Sequence, residues 1–278
     1  MKINYGEAIG NTFRFSFSFK RWFPFFIVNV IFFLLALGLT IPNMEAFITM
    51  MTTNTFASGG LLIVQYIAAM AALFVVWALL LIYISAAIVH QSHKEKEVKK
   101  SWQVARKKFW SFLASIIVIT LITLVISVAL SLIPFIGPFL GNIASIIISI
   151  MFFFAFPAIV LKNQVFHDVL KDSYDIFKKN GLRVILIWIV IILINWVIAF
   201  VFAIPLMGVF LTAFTDLLVV GTFSATSVVS LIAAIQNNLA FIVIAGVIAI
   251  AGMSITQVFQ LKAQTEFYKQ FRKKKLPF

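Results

Sequence analysis

The sequence predicts an all-α integral membrane protein, a bundle of six transmembrane helices, and three observations carry that prediction. The chain of 278 residues is 63% hydrophobic and only 11% charged, with a mean hydropathy of +1.09. Soluble domains carry about a quarter charged residues, so a chain this apolar could not cover its own surface in water. Six segments reach the roughly 20 apolar residues that a helix needs to cross a hydrocarbon core. Period-two alternation punctuated by turns is missing, which removes a transmembrane barrel and leaves helices, whose backbone groups are satisfied internally.

The spans are read at 22–41, 61–89, 109–133, 139–161, 182–204 and 239–261. The first follows Lys20-Arg21 and is not followed by a small-x-small cleavage site. A signal peptide's apolar region is about 7–15 residues, so this longer run is expected to stay as a span. No polar linker or Gly/Ser tract divides the chain, and a single membrane domain over 1–278 is expected. With no cysteine, disulfides, thiolate metal sites, Fe–S clusters and thiol nucleophiles are excluded.

Charge sets the direction of the spans. All 22 Lys and Arg residues lie in 1–21, 90–108, 162–181 and 262–278, plus Arg183 at a span edge. The alternate connections hold none; they carry only Glu45 and Asp216. Basic residues are retained on the cytoplasmic side, so the expected location is the cell (cytoplasmic) membrane with both termini cytoplasmic. The apolar connection 206–238 is read either as interfacial helices on the outer face, the favoured form, or as a re-entrant hairpin.

A repeated unit emerges. "SWQVARKKFWSFLASIIVITLITLVISVALSLIP" from Ser101 and "SYDIFKKNGLRVILIWIVIILINWVIAFVFAIP" from Ser173 each open Ser-aromatic, pass a basic cluster and end at Ile-Pro. Pro134 and Pro205 are 71 positions apart, as are "AAIVH" at 86–90 and "PAIVL" at 157–161. The first third has the same order of parts and ends at Ile41-Pro42. A threefold helical-hairpin repeat follows: a cytoplasmic amphipathic helix, a span, a turn and a return span, with each proline stopping the outgoing helix.

The amphipathic helices are clearest at 167–181, where Asp168 is expected to cap the start and Asn180-Gly181 to supply a left-handed C-cap. Leu170, Tyr174 and Phe177 recur at helical spacing as its apolar face; Trp102, Ala105 and Phe109 repeat the pattern before span three. Ala8, Phe13 and the run 15–19 form a less regular version at the start. Such helices lie in the interface plane with basic residues at the headgroups. Lys20, Arg21, Lys99, Lys100, Arg106, Lys107, Lys108, Lys178, Lys179 and Arg183 are therefore the candidate contacts to an anionic inner leaflet or to a protein partner. The plain alternative is that they act as topology anchors alone. Their spread over separate segments argues against nucleic-acid binding.

Polar groups inside spans are the other candidates: Asn29, Gln65, Asn142, Asn195 and Gln257. No charged residue lies well inside any span, unlike the mid-membrane carboxylates of many ion-coupled carriers. His90 and His93 have a spacing that two metal ligands can use, but no third ligand follows and Lys94 and Lys96 would repel a cation. No metal site or cofactor is expected. Ala245, Ala249, Gly252 and Thr256 form a small-residue stripe suited to internal helix packing, or to a dimer or partner contact. No Ser-His-Asp set, carboxylate pair, HExxH or Walker loop appears, and no enzymatic activity is expected.

At "FPAIVLKNQVFHDVLKDSYDIFKKNGLRVILIW" the chain resembles a broad prokaryotic group of six-span membrane proteins. The group includes archaeal proteins of unknown function and the membrane domain found beside some glycerophosphodiester phosphodiesterases. Pro157, Ala158, Ser173, Tyr174 and 178–180 are the matching positions. The resemblance implies the six-span fold; the soluble catalytic domain of those phosphodiesterases has no counterpart here, so their activity does not carry over. Two functions remain: a scaffold or accessory subunit, and a transporter or channel-like protein for an apolar or lipid-like solute.

Overall fold

A computed structural model describes residues 3–53, 56–162, 166–220 and 238–272. It is all-α, with no strand among the described residues, and six of its helices are long and apolar enough to cross a membrane. The helices are α1 (Tyr5–Ser16), α2 (Phe19–Thr53), α3 (Phe56–His93), α4 (Val98–Ser131), α5 (Gly137–Met151), α6 (Ala155–Leu161), α7 (Phe166–Val220) and α8 (Leu239–Arg272). The chain is a multi-pass, six-helix integral membrane protein.

Two compact units form. Unit 1 comprises 1–21, 81–196 and 257–278; unit 2 comprises 22–80 and 197–256. Unit 1 contains the basic ends of the spans and most of the fully buried side chains. Ala86, Ala87, Ile88 and Val89 of α3, Ala158 and Ile159 of α6, and Val258 and Phe259 of α8 are all inaccessible. The two segments matched 71 positions apart therefore both supply core.

Helix α1 begins with a reciprocal cap: Asn4 Oδ1 accepts from the Glu7 amide at 3.3 Å, and Asn4 Nδ2 donates to the Glu7 carboxylate at 2.8 Å. Its buried face is Ala8, Thr12, Phe15 and Ser16. The two hydroxyls can be buried because each donates to the carbonyl four residues back, at 2.7 Å. Between α4 and α5, Phe135 turns the chain with a φ of 63°. Gly137 follows it where a Cβ would overlap the Leu130 carbonyl, so the tight hairpin requires glycine. Ser127 and Ser145 meet across the hairpin at 3.2 Å, beside Gly141.

Several sequence expectations are corrected. Of the three prolines read as helix stops, only Pro134 follows a helix end; Pro42 lies inside α2 and Pro205 inside α7. Beside Pro42, Thr40 and Asn43 donate side-chain hydrogen bonds to the Ala36 and Leu39 carbonyls, both at 2.7 Å. Around Pro205 the chain is apolar on both sides, and helix α7 continues through it to Val220. The first part of the connection at 206–238 is thus helix continuous with span five, while 221–237 lies outside the described residues.

The charged segment before span three is not a separate helix, since 98–108 forms the first turns of α4; the one before span five is a helix of its own, set off from the span by a kink at Asn180 within α7. Asn180 (φ −137°, ψ 29°) makes that bend in place of the expected left-handed cap, and its side chain donates to the Ile176 carbonyl at 3.4 Å. Asp168 sits in the first turn of α7 rather than at the cap position. Span four is broken by Phe152–Phe154 into α5 and α6.

Candidate functional site

The break in span four depends on Ser173. Its hydroxyl donates to the Met151 carbonyl at 2.9 Å and accepts from the Phe154 amide at 3.2 Å. Two backbone groups that a helix break would orphan are thereby satisfied. The equivalent Ser101 also reaches the preceding span, at 2.9 Å from His90 Nδ1.

The face of α7 that enters the core is Val169, Asp172, Ser173 and Ile176, while the apolar stripe Leu170, Tyr174 and Phe177 lies one position round from it, half-buried or exposed. The reason is electrostatic. Asp172 is only 8% exposed, yet it accepts from Lys162 Nζ at 2.7 Å, from Tyr268 Oη at 2.7 Å and from the Arg272 guanidinium. A carboxylate so surrounded is buried without being left uncompensated.

A second cluster closes the basic end of α3. Lys262, 2% exposed, donates to the Ser92 carbonyl at 2.9 Å and to Glu95 Oε1 at 2.8 Å, and pairs with Glu266 at 2.9 Å. Lys269 reaches the same Ser92 carbonyl at 3.3 Å and Glu266 at 3.2 Å. A helix C-terminus leaves its last carbonyls unpaired, and the two ammonium groups satisfy one of them. Arg21 donates to Gln91 and, at 2.7 Å, to the Glu95 carbonyl, with its guanidinium over the Phe15 ring.

The predicted headgroup set thus divides. Arg21 is engaged within unit 1, and Lys100 pairs with Glu97 at 3.2 Å, holding that carboxyl below the usual carboxylate range chiefly through its hydrogen bond. Lys108 is half-buried. Lys20, Lys99, Arg106, Lys107, Lys178, Lys179 and Arg183 are exposed.

Among the intramembrane amides, Asn29 accepts from Trp77 Nε1 at 2.9 Å and donates to Ser254 at 3.4 Å within unit 2. Gln65 and Asn142 are exposed. On the small-residue stripe, Ala245 and Gly252 are buried while Ala249 and Thr256 are half-buried. A Cβ at Gly252 would overlap the side chain of Phe202, and Gly246 stands equally close to Phe33. His90 turns to Ser101 while His93 is exposed, and no group of three His, Asp or Glu able to hold a metal occurs among the described residues.

Unit 1 also holds a cavity of about 380 Å³. Phe152, Phe153 and Phe156 from the broken span, Trp188 of α7 and Gln260 and Gln264 of α8 are among its walls. Sequence reasoning missed Gln260 and Gln264, although Gln257, Gln260 and Gln264 fall at i, i+3 and i+7 of one helix. That spacing was the available signal.

No protein-family model, no curated protein and no solved structure matches the chain.

Proposed function

We propose that this is a non-enzymatic protein of the cytoplasmic membrane, a scaffold or accessory subunit whose basic ends face the cytoplasm and hold anionic lipid headgroups or a partner. The observation that carries this reading is the division of the cations. Arg21, Lys162, Lys262, Lys269 and Arg272 are engaged with carbonyls and carboxylates of unit 1, whereas Lys99, Arg106, Lys107, Lys178, Lys179 and Arg183 are exposed. Charge concentrated on one side supports an inward orientation, and each exposed cation near an anionic leaflet contributes about 1 kcal/mol.

The test is native mass spectrometry of the protein purified in mixed phosphatidylglycerol and phosphatidylcholine. Preferential retention of phosphatidylglycerol is expected, reduced several-fold when Lys178 and Lys179 are replaced by Gln. Equal retention by wild type and variant would reduce these residues to topology signals. A second reading, transport of a lipid-like solute, draws on the unit 1 cavity; solute flux into liposomes containing the purified protein alone would favour it over a scaffold.

A further inference from the structure

Lys108 belongs neither to the engaged cations nor to the exposed ones. It is half-buried, and it makes no hydrogen bond or ion pair with a described residue. A cation that gives up water is costly unless an anion meets it. Its place on α4 points to one. Phe112, one turn further along, is fully buried, and its ring stacks on Phe156 with centroids 5.3 Å apart. Phe156 is in turn a wall of the unit 1 cavity, to which α4 contributes Ile119. Ile119 lies eleven residues beyond Lys108, three turns on along the same side of the helix and about 16 Å along its axis. The cavity thus begins within one turn of Lys108 and extends away from the basic end.

The walls suit hydrocarbon. Rings and branched aliphatics dominate them, among them Phe152, Trp188 and Ile192, and none is charged. Asn195 and Gln257, both half-buried, do not line it. Gln260, exposed on the wall, adds amide N–H donors. Apolar walls alone would name no occupant; the cation at one end does. A glycerophospholipid carries the complements in order along its length: an anionic phosphate, ester carbonyls that accept hydrogen bonds, then chains. In a hydrocarbon core about 30 Å thick, the chains of each leaflet reach about 15 Å deep, which matches the span from Lys108 to Ile119.

We infer that unit 1 holds one inner-leaflet glycerophospholipid, with its phosphate at Lys108 and one acyl chain in the cavity against Phe156, Trp188 and Ile119. The inference deepens the headgroup reading and rests on it for the cytoplasmic side of Lys108. It assigns the binding to a different cation and to a single lipid, held by its chain as well as its head.

Full-length protein in lipid-free detergent is titrated with dioleoylphosphatidylglycerol and with dioleoylglycerol, which has the same chains and esters but no phosphate. Bound lipid is counted by native mass spectrometry. Wild type is expected to take up one phosphatidylglycerol about tenfold more tightly than dioleoylglycerol, the scale of one hydrogen bond to a charged group. Lys108→Gln is expected to erase that difference. Ser149→Phe fills the cavity from an exposed position and leaves Lys108 in place, and it is expected to weaken both lipids about tenfold, the scale of two methylenes kept out of the protein. Equal binding of the two lipids by wild type overturns the inference, as does a difference that survives Lys108→Gln or undiminished binding by Ser149→Phe. The double variant Lys178→Gln and Lys179→Gln separates the two readings. A loss confined to that variant upholds the headgroup reading and sinks this one, whereas a loss confined to Lys108→Gln and Ser149→Phe does the reverse. Should Ser149→Phe not fold, quenching decides. One equivalent of phosphatidylglycerol with dibrominated chains is expected to quench the fluorescence of wild type by a larger fraction than that of Trp188→Phe, and identical fractions overturn the inference.

Discussion

The Tyr268 hydroxyl donates to Asp172 Oδ2 at 2.7 Å, joining residues 96 positions apart in the chain. Tyr268 is fully buried, and the carboxylate it meets also receives Lys162 and Arg272. The contact places the last turns of α8 against the start of α7, and makes one acidic residue the common acceptor of three donors.

Removing one donor should cost less than removing the acceptor. Tyr268→Phe deletes one hydrogen bond to a charged group and is expected to lower stability by about 1.5–3 kcal/mol. Asp172→Ala leaves two half-buried cations without their carboxylate and is expected to be destabilising by about 3 kcal/mol, the lower end for a broken buried pair. Thermal denaturation of both variants in the same detergent checks the ordering; a milder Asp172→Ala would mean that the cations find other acceptors.

Ser173 gives a local prediction. With Ser173→Ala the Met151 carbonyl and the Phe154 amide lose their partner, at a cost of about 1–3 kcal/mol. Hydrogen exchange at the Phe154 amide should accelerate selectively, with exchange in the middle of α4 unchanged. Unaltered exchange at Phe154 would show that the break in span four holds itself.

Gly252 should reject a large side chain. Gly252→Leu forces overlap with Phe202 and is expected to be destabilising by about 1–3 kcal/mol. Recovery on adding Phe202→Ala would place the effect in that contact, and its absence would place it elsewhere.

Orientation is read by labelling. Lys96→Cys, on the exposed turn between α3 and α4, should react with an impermeant maleimide only after the membrane is opened. Phe135→Cys, at a position 100% exposed between α4 and α5, should react in intact cells. The reverse pattern would invert the proposed topology.

The spans were legible because length and hydropathy are local properties: each of the six runs announces itself without reference to its neighbours. The fate of individual charges was not. Arg21 reads as one more headgroup cation until Gln91 and the Glu95 carbonyl are placed beside it, and those partners lie 70 and 74 positions away. The core face of α7 was not legible for the same reason, since Asp172 looks like a surface residue while Lys162, Tyr268 and Arg272 are out of view. Pro42 and Pro205 misled differently. A proline stops a helix less surely in a transmembrane segment, where neighbouring helices, hydroxyl side chains and local adjustment take up the freed carbonyl. Of the candidate site, Lys108 was visible as one cation among several; the cavity that begins one turn from it was not.

The grip of α8 on unit 1 also orders the making of the protein. Lys262, Tyr268, Lys269, Gln270 and Arg272 emerge from the ribosome after the partners they hold, Asn4, Ser92, Glu95 and Asp172. A nascent chain stopped just before residue 262 would already contain six apolar runs, yet the Asp172 carboxylate would have only Lys162 and the Ser92 carbonyl would have neither lysine. The six apolar runs alone therefore do not complete unit 1: its closure waits on the residues after 261, the last part of the described chain to be made.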